Sequence, residues 1–286
     1  MKINTLFNIV KFNLKVFNTM KRLTLLAAAF AFAFNASAQA DLRCDWSKLN
    51  LKGNNVKSLT ETSEGATPVS YTFNDMGYLT NSGQQYTFDS KGNLTMSLSP
   101  DGKGMYEYNS KGLLTEYILK NGDSMYRETY VYDGSGKMTS CTTSNSTITF
   151  TYDNSGNLIH SNDTFGNLLS EYVYKGSKVS MEKTGGVKKN YAYDSKGRTS
   201  SVTTEKDGQK TVETFSYDEN DAVVKRIVTI SGNGTQVTET HNYTVDTTGN
   251  WVKDDFVIEK GGAKTTGKIV REIEYFGPAR RLFLLK

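Results

Sequence analysis

A nine-residue unit recurs along most of this chain, and so regular a repeat leaves few folds open to it. The unit reads aromatic, any, aromatic, Asp or Asn, two residues, Gly, any, apolar. Its first clear copy is Tyr71-Thr72-Phe73-Asn74-Asp75-Met76-Gly77-Tyr78-Leu79. It returns at Tyr86–Leu94, Tyr106–Leu114, Tyr130–Met138 and Phe150–Leu158. Tyr172–Val179 follows, with Lys175 in the acidic place and one residue missing. Then come Tyr191–Thr199, Phe215–Val223 with Asp221 where Gly is expected, and Tyr243–Trp251 with Val245 in the second ring place. Successive copies start 15 to 28 residues apart, and a half-copy, Tyr275-Phe276-Gly277, lies 32 residues beyond the ninth.

Aromatic residues at i and i+2 face one side of a strand. The Asp or Asn, the two residues after it and the Gly suit a type I turn with a bulge. The side chain caps its own backbone, and Gly supplies the positive φ. The apolar residue two beyond Gly starts the return strand, so each copy is one end of a β-hairpin. The opposite ends also carry turn residues: Pro100-Asp101-Gly102, Asn121-Gly122-Asp123, Gly185-Gly186, Asp207-Gly208, Gly232-Asn233-Gly234 and Gly261-Gly262. An opening strand over 56–63 fits the scheme, and no stretch after residue 38 holds a helical apolar period. The expected fold is all-β, an antiparallel meander of roughly 18 to 20 strands of ordinary length.

Seventeen of the eighteen ring slots in the nine copies are Tyr or Phe. Aligned across the sheet they make two ribs, and the position two after Gly (Leu79, Leu94, Leu114, Met138, Leu158, Val223, Trp251, with Thr199 as the exception) makes a third. Two residues before the rings the same face turns polar: Gln84, Gly104, Glu128, Ser170, Lys189, Glu213 and His241, with Ile148 and Ile273 apolar. A flat sheet would leave so narrow an apolar strip in water. The expectation is one elongated sheet, coiled or partly rolled, whose ribs face one another across a curved interior.

Residues 20–38 read as a secretory signal peptide. Met20-Lys21-Arg22 is basic, 23–34 is mostly apolar, and Ala36-Ser37-Ala38 is the cleavage site. Residues 1–19 upstream read as a start placed too early or as an N-terminal extension. Residues 39–55 form a lead-in, 56–276 the repeat domain and 277–286 an irregular tail. Residues 1–38 hold five of the 34 basic side chains and none of the 30 acidic ones, so the remainder is 29 against 30, net −1. The pI of 8.8 owes much to the leader, and nucleic acid is not an expected partner. Cys44 follows Arg43, where a lipoprotein signal wants a small residue, so a lipid anchor is rejected. Cys44 and Cys141 are either one disulfide or two thiols.

In these residues, above all Tyr130–Met138 and Phe150–Leu158, the chain resembles the YD-repeat (Rhs-type) family of bacterial surface and secreted proteins. The resemblance covers about 56–275 and implies a continuous strand-turn-strand sheet wound into a spiral or shell. In large members that shell can enclose a toxic cargo domain. This chain has far fewer repeats, lacks the Asp-Pro-x-Gly-Leu self-cleavage motif and carries no cargo domain. A short stand-alone relative is what the resemblance implies here.

No nucleophile elbow, zinc-protease helix, phosphate loop or dinucleotide fingerprint occurs. His160 and His241 stand alone in sequence. His241 shares the ring face with Glu239, a pair suited to acid–base work in a cleft and otherwise a solvated stretch of strand. The row Asp75, Asp89, Asp133, Asp153, Asp194, Asp218 and Asp246 invites calcium, but one carboxylate per hairpin is spaced about 10 Å from the next and serves its own turn. Glu205, Lys206, Lys210, Lys225 and Arg226 read as a solvated outer face. Trp251, Phe256, Tyr275 and Phe276 suit capping of the sheet's end, or stacking on a sugar. No catalytic, cofactor or metal residue is assigned. The expected protein is a non-enzymatic, exported structural or interaction module, periplasmic, outer-membrane-associated or extracellular, without an integral membrane span once the signal is removed. Its expected partner is an envelope protein or a glycan. The alternatives are a carbohydrate- or envelope-binding protein using ring platforms, and a glycan hydrolase with paired carboxylates.

Overall fold

The computed structural model describes residues 49, 51–53, 55–230 and 234–277. Residues 1–48, which include the expected signal peptide, Cys44 and most of the lead-in, lie outside the described residues, as does the tail from 278. The strands are β1 (Val56–Ser63), β2 (Val69–Phe73), β3 (Leu79–Asn81), β4 (Gln85–Phe88), β5 (Leu94–Ser99), β6 (Gly102–Tyr108) and β7 (Leu114–Asn121). They continue as β8 (Ser124–Tyr132), β9 (Met138–Thr143), β10 (Thr147–Tyr152), β11 (Leu158–Asn162), β12 (Leu168–Lys175), β13 (Lys178–Thr184) and β14 (Val187–Tyr193). The last are β15 (Thr199–Lys206), β16 (Gln209–Tyr217), β17 (Val223–Ile230), β18 (Gln236–Val245), β19 (Trp251–Lys260) and β20 (Ala263–Tyr275). Each pairs antiparallel with the next in sequence.

The all-β meander stands, but the elongated, coiled or partly rolled sheet with two free ends does not. β1 pairs antiparallel with β20, from Val56 opposite Tyr275 to Ser63 opposite Ile269. The sheet is therefore a closed 20-stranded barrel with no edge strand. The rings do not meet across a curved interior. Twenty strands spaced ~4.8 Å apart give a round barrel a backbone radius of roughly 15–20 Å, beyond the reach of facing side chains.

The rings pack sideways along the wall instead. One core joins Tyr130, Met138, Cys141, Ile148, Phe150, Leu158 and Tyr172, on consecutive strands β8 to β12. The other joins Val56, Leu59, Phe73 and Leu79 to Leu49 and Leu51 of the lead-in, flanking the seam between β1 and β20. The alternation is regular. In all nine copies the residue between the two ring slots is exposed, whereas the seventeen rings are buried or half-buried. The rings therefore line the inner wall. Cys141 is a free, buried thiol whose pKa burial pushes up to about 12, with Glu128 adding to the rise.

The turns form as their residues require. At Asp133 the Gly136 N–H donates to Asp133 C=O at 3.1 Å and the Asp133 N–H to Lys137 C=O at 2.8 Å. Asp133 Oδ1 accepts the N–H groups of Ser135 and Lys137, both at 2.9 Å. Gly136 sits at φ 88°, and the register slips by one residue between Val131 and Tyr132, which is the bulge. Asp221 replaces Gly in its copy at φ 65°, a conformation Asp tolerates better than most side chains. The same turn recurs at Asp163, between β11 and β12, where no ring pair announces it. Asp75 leaves the predicted row, because Asn74 caps that turn.

A further repeat ties six of the hairpins to the one before. The hydroxyls of Tyr108, Tyr132, Tyr152, Tyr193 and Tyr217 donate to the backbone carbonyls of Leu94, Leu114, Met138, Val179 and Thr199, the apolar third-rib position of the preceding copy. Tyr243 does the same to Val223 from the first ring slot. Phe150→Ala should lower stability by about 3–5 kcal/mol and Tyr132→Phe by about 1 kcal/mol, while the outward Thr151→Ala costs under about 0.5 kcal/mol. Urea denaturation followed by circular dichroism checks the order.

Candidate functional site: a polar belt on the inner wall

One level deeper than the rings, the inner wall carries a belt of paired polar side chains, where a solvated stretch of strand was expected. Some of these contacts lie along one strand and others span adjacent strands. Glu128, 3% exposed, accepts the hydroxyls of Tyr126 at 2.5 Å and of Tyr130. Burial, then Glu128, raises the pKa of both phenols. Ser161 and Ser170, both fully buried, share a hydrogen bond of 2.6 Å, and Tyr191 donates to Glu182 at 2.7 Å.

The belt is most charged over β16 to β20. Arg226 donates to Glu213 at 2.7 and 2.9 Å and to Glu239 at 3.1 and 3.3 Å. Arg226 does not lie on the solvated outer face with Lys225. It stands opposite Phe215, a ring slot, because the bulge at Tyr217 and Val223 shifts the parity of β17 by one residue. The alternative of a His241–Glu239 pair is not realised. Glu239 belongs to Arg226, and His241 Nδ1 donates instead to Asp254 Oδ2 at 2.8 Å. Asp254 is 3% exposed, and its Oδ1 has no hydrogen-bond partner. His160 lies opposite Thr151, whose side faces out, so the two histidines are on opposite faces.

The predicted end cap is a seam. Trp251 lies under the Arg271 guanidinium at 3.4 Å, and Arg271 Nε donates to Glu61 on β1 at 3.0 Å. Phe256 packs on His241 at a centroid distance of 6.1 Å and covers Gly267, where any Cβ would collide with the ring. Tyr275 donates to Asp246.

The position just after Gly in the repeat, read in sequence as unconstrained, has a role of its own. In four copies this residue, which directly precedes the third-rib position, covers the face of the next copy's second ring. Tyr78 stacks on Phe88 at 5.0 Å, and Lys137, Lys178 and Arg198 lie over Tyr152, Tyr193 and Tyr217 at 5.6, 4.8 and 4.5 Å. Its signal in sequence is an excess of aromatic and cationic residues there, visible only once the copies are aligned.

No family model and no curated protein matches this chain. Solved structures do. A TcdB2-TccC3 crystal structure aligns with 73% of this chain at 13% identity and a TM-score of 0.40, and this chain spans 15% of that one. A porin-like protein from Bacteroides uniformis ATCC 8492 aligns over 76% of this chain and 96% of its own, at 16% identity and a TM-score of 0.36. Another from Bacteroides vulgatus ATCC 8482 aligns over 77% and 98%, at 12% identity and a TM-score of 0.33. At these scores the likenesses carry no functional argument. No helix among the described residues is long and apolar enough to cross a membrane, which says nothing of spanning by strands.

The hydrogen bond to Asp254 raises the His241 pKa above its ordinary 6.5, partly opposed by burial. The charged pair therefore stabilises the fold fully below about pH 6.5, and that contribution is lost as pH rises through the raised folded value. The difference in urea midpoint between the protein and His241→Gln should be larger near pH 5.5 than near pH 9. A difference that does not shrink with pH contradicts the pairing.

Proposed function

We propose that the protein is a non-enzymatic, extracytoplasmic barrel that holds polypeptide against its inner wall. The observation that carries this reading is the lead-in. Leu49 and Leu51 are buried among inner-wall residues, and Arg271 Nη1 donates to the Leu49 carbonyl at 2.7 Å. The wall thus already offers apolar seats and buried donors to a chain segment that belongs to no strand. With no sheet edge left, partners are not recruited by strand addition, and the interior is the surface that remains. The resemblance to YD-repeat shells agrees with an enclosing role, and export rests on the signal-like segment at 20–38.

The alternatives fit less well. Five of the rings a sugar could stack on, Phe88, Tyr152, Tyr193, Tyr217 and Trp251, are already covered by Tyr78, Lys137, Lys178, Arg198 and Arg271. The carboxylates that come together, Glu213 and Glu239, are both committed to one guanidinium, which leaves neither placed to deliver a proton to a glycosidic oxygen. The outer wall is not built for lipid. The exposed residue between the rings is Thr in four of nine copies, with Glu, Ser, Ala and Val in the rest. β3 and β4 have three and four residues, against roughly 9–11 for a membrane-crossing strand.

Fluorescence anisotropy with labelled unfolded peptides, alongside a glycan array, tests the reading. Peptides should bind saturably and glycans should not. Arg226→Met on the inner wall should weaken peptide binding roughly tenfold or more, and the outward Thr203→Met should leave it unchanged. Glycan binding without peptide binding would reverse the assignment.

A further inference from the structure

The lead-in is held by groups that read a peptide rather than merely cover it. Asn250, fully buried, accepts the Lys52 N–H at Oδ1 and returns its Nδ2–H to the Lys52 carbonyl at 3.3 Å. One amide thus satisfies both backbone groups of one residue, whatever its side chain. Asn250 is itself fixed by Tyr275 at 2.9 Å and by Thr248 at 3.1 Å. Arg271, 5% exposed, is fixed by Glu61 and Trp251 and spends Nη1 on the Leu49 carbonyl. Leu49 and Leu51 fill apolar seats beside Leu59 and Phe73. At the mouth, Lys52 Nζ reaches Asn220 at 3.1 Å.

Release of this segment breaks no strand ladder. Residues 49 and 51–53 lie outside every strand, and the seam between β1 and β20 is closed by its own pairing. Gly53, at φ 77°, gives the chain a pivot just before β1. Buried side-chain donors and acceptors, two apolar seats and a tenant outside the sheet together make a site.

We propose that this strip is a peptide-binding site, now filled by the chain's own lead-in, which accepts a Leu-x-Leu-Lys segment of a second polypeptide in its place. This rests on the reading of the barrel as a polypeptide binder and names the sequence it selects. Tethering gives the resident segment a high effective concentration, so an outside peptide binds well only when the tenant has left.

The probe is a fluorescein-labelled peptide with the sequence of residues 47–53, Ser-Lys-Leu-Asn-Leu-Lys-Gly. It is titrated against the purified protein, against the double variant Leu49→Asp/Leu51→Asp, and against that variant carrying Asn250→Ala. Saturable binding is expected to the double variant. Binding roughly tenfold weaker or more is expected to the unmodified protein, to the triple variant, and when both peptide leucines are replaced by Asp. No saturable binding to a double variant that keeps its circular dichroism and protease resistance overturns the proposal, as does equal binding to all three proteins. Should the double variant fail to fold, hydrogen exchange of the unmodified protein decides. A Lys52 amide exchanging well before that of Leu59 supports a releasable tenant, and equal rates reject it. Peptide binding that responds to Arg226→Met but not to Asn250→Ala overturns this site while leaving the wider reading intact.

Discussion

A meander of hairpins with one apolar face has two problems, an uncovered face and two uncovered edges, and the pairing of β1 with β20 answers both. Once the first strand meets the last, the ring face becomes an interior and no row of backbone donors is left to recruit another chain. The inward rings, the polar belt behind them and the outward Thr, Lys and Glu all take their meaning from that closure. The seam is reinforced where it forms. Arg271 on β20 reaches Glu61 on β1, lies on Trp251 of β19 and holds the lead-in, so four separate parts of the chain meet at one guanidinium.

Between closures the wall is a relay. Six copies of the repeat take a hydrogen-bond acceptor from their predecessor, and four take from it a cover over one ring. Tyr217, for example, donates to Thr199 and lies beneath Arg198, which is itself oriented by Asp194 at 2.7 Å and Asp221 at 2.7 Å. Such contacts are individually small. Their regular recurrence fixes neighbouring hairpins in register without any group from the far wall, which suits a barrel too wide to pack across its middle.

Much of this was legible in the residues. The ring pairs, the capping Asp or Asn and the Gly at positive φ announce hairpins of the kind observed, because each depends on contacts within a few residues. Closure was not legible, since it depends on how many copies there are and how far each leans on the next, and no single copy records that. Arg226 was placed on the wrong face for a local reason: the bulge at Tyr217 shifts the parity of the strand that follows. For His241 the sequence offers only the neighbour two residues away as a partner, whereas Asp254 comes from the adjacent strand, opposite Tyr243. The turn at Asp163 escaped because no rings precede it. The lead-in offered no periodicity at all, and its seat is visible only when Asn250 and Arg271 are brought beside it.

Closure at the seam is the claim on which the rest stands, and nitroxide labels on Thr60→Cys and Glu272→Cys test it directly in a Cys44→Ser background. The two positions are register partners on the outer wall, and Cys141 is too buried to take label. Strong dipolar broadening of the continuous-wave spectrum in dilute, singly folded protein is the predicted result. Spectra equal to the sum of the two single labels would mean that the first and last strands do not meet, and the barrel would be contradicted.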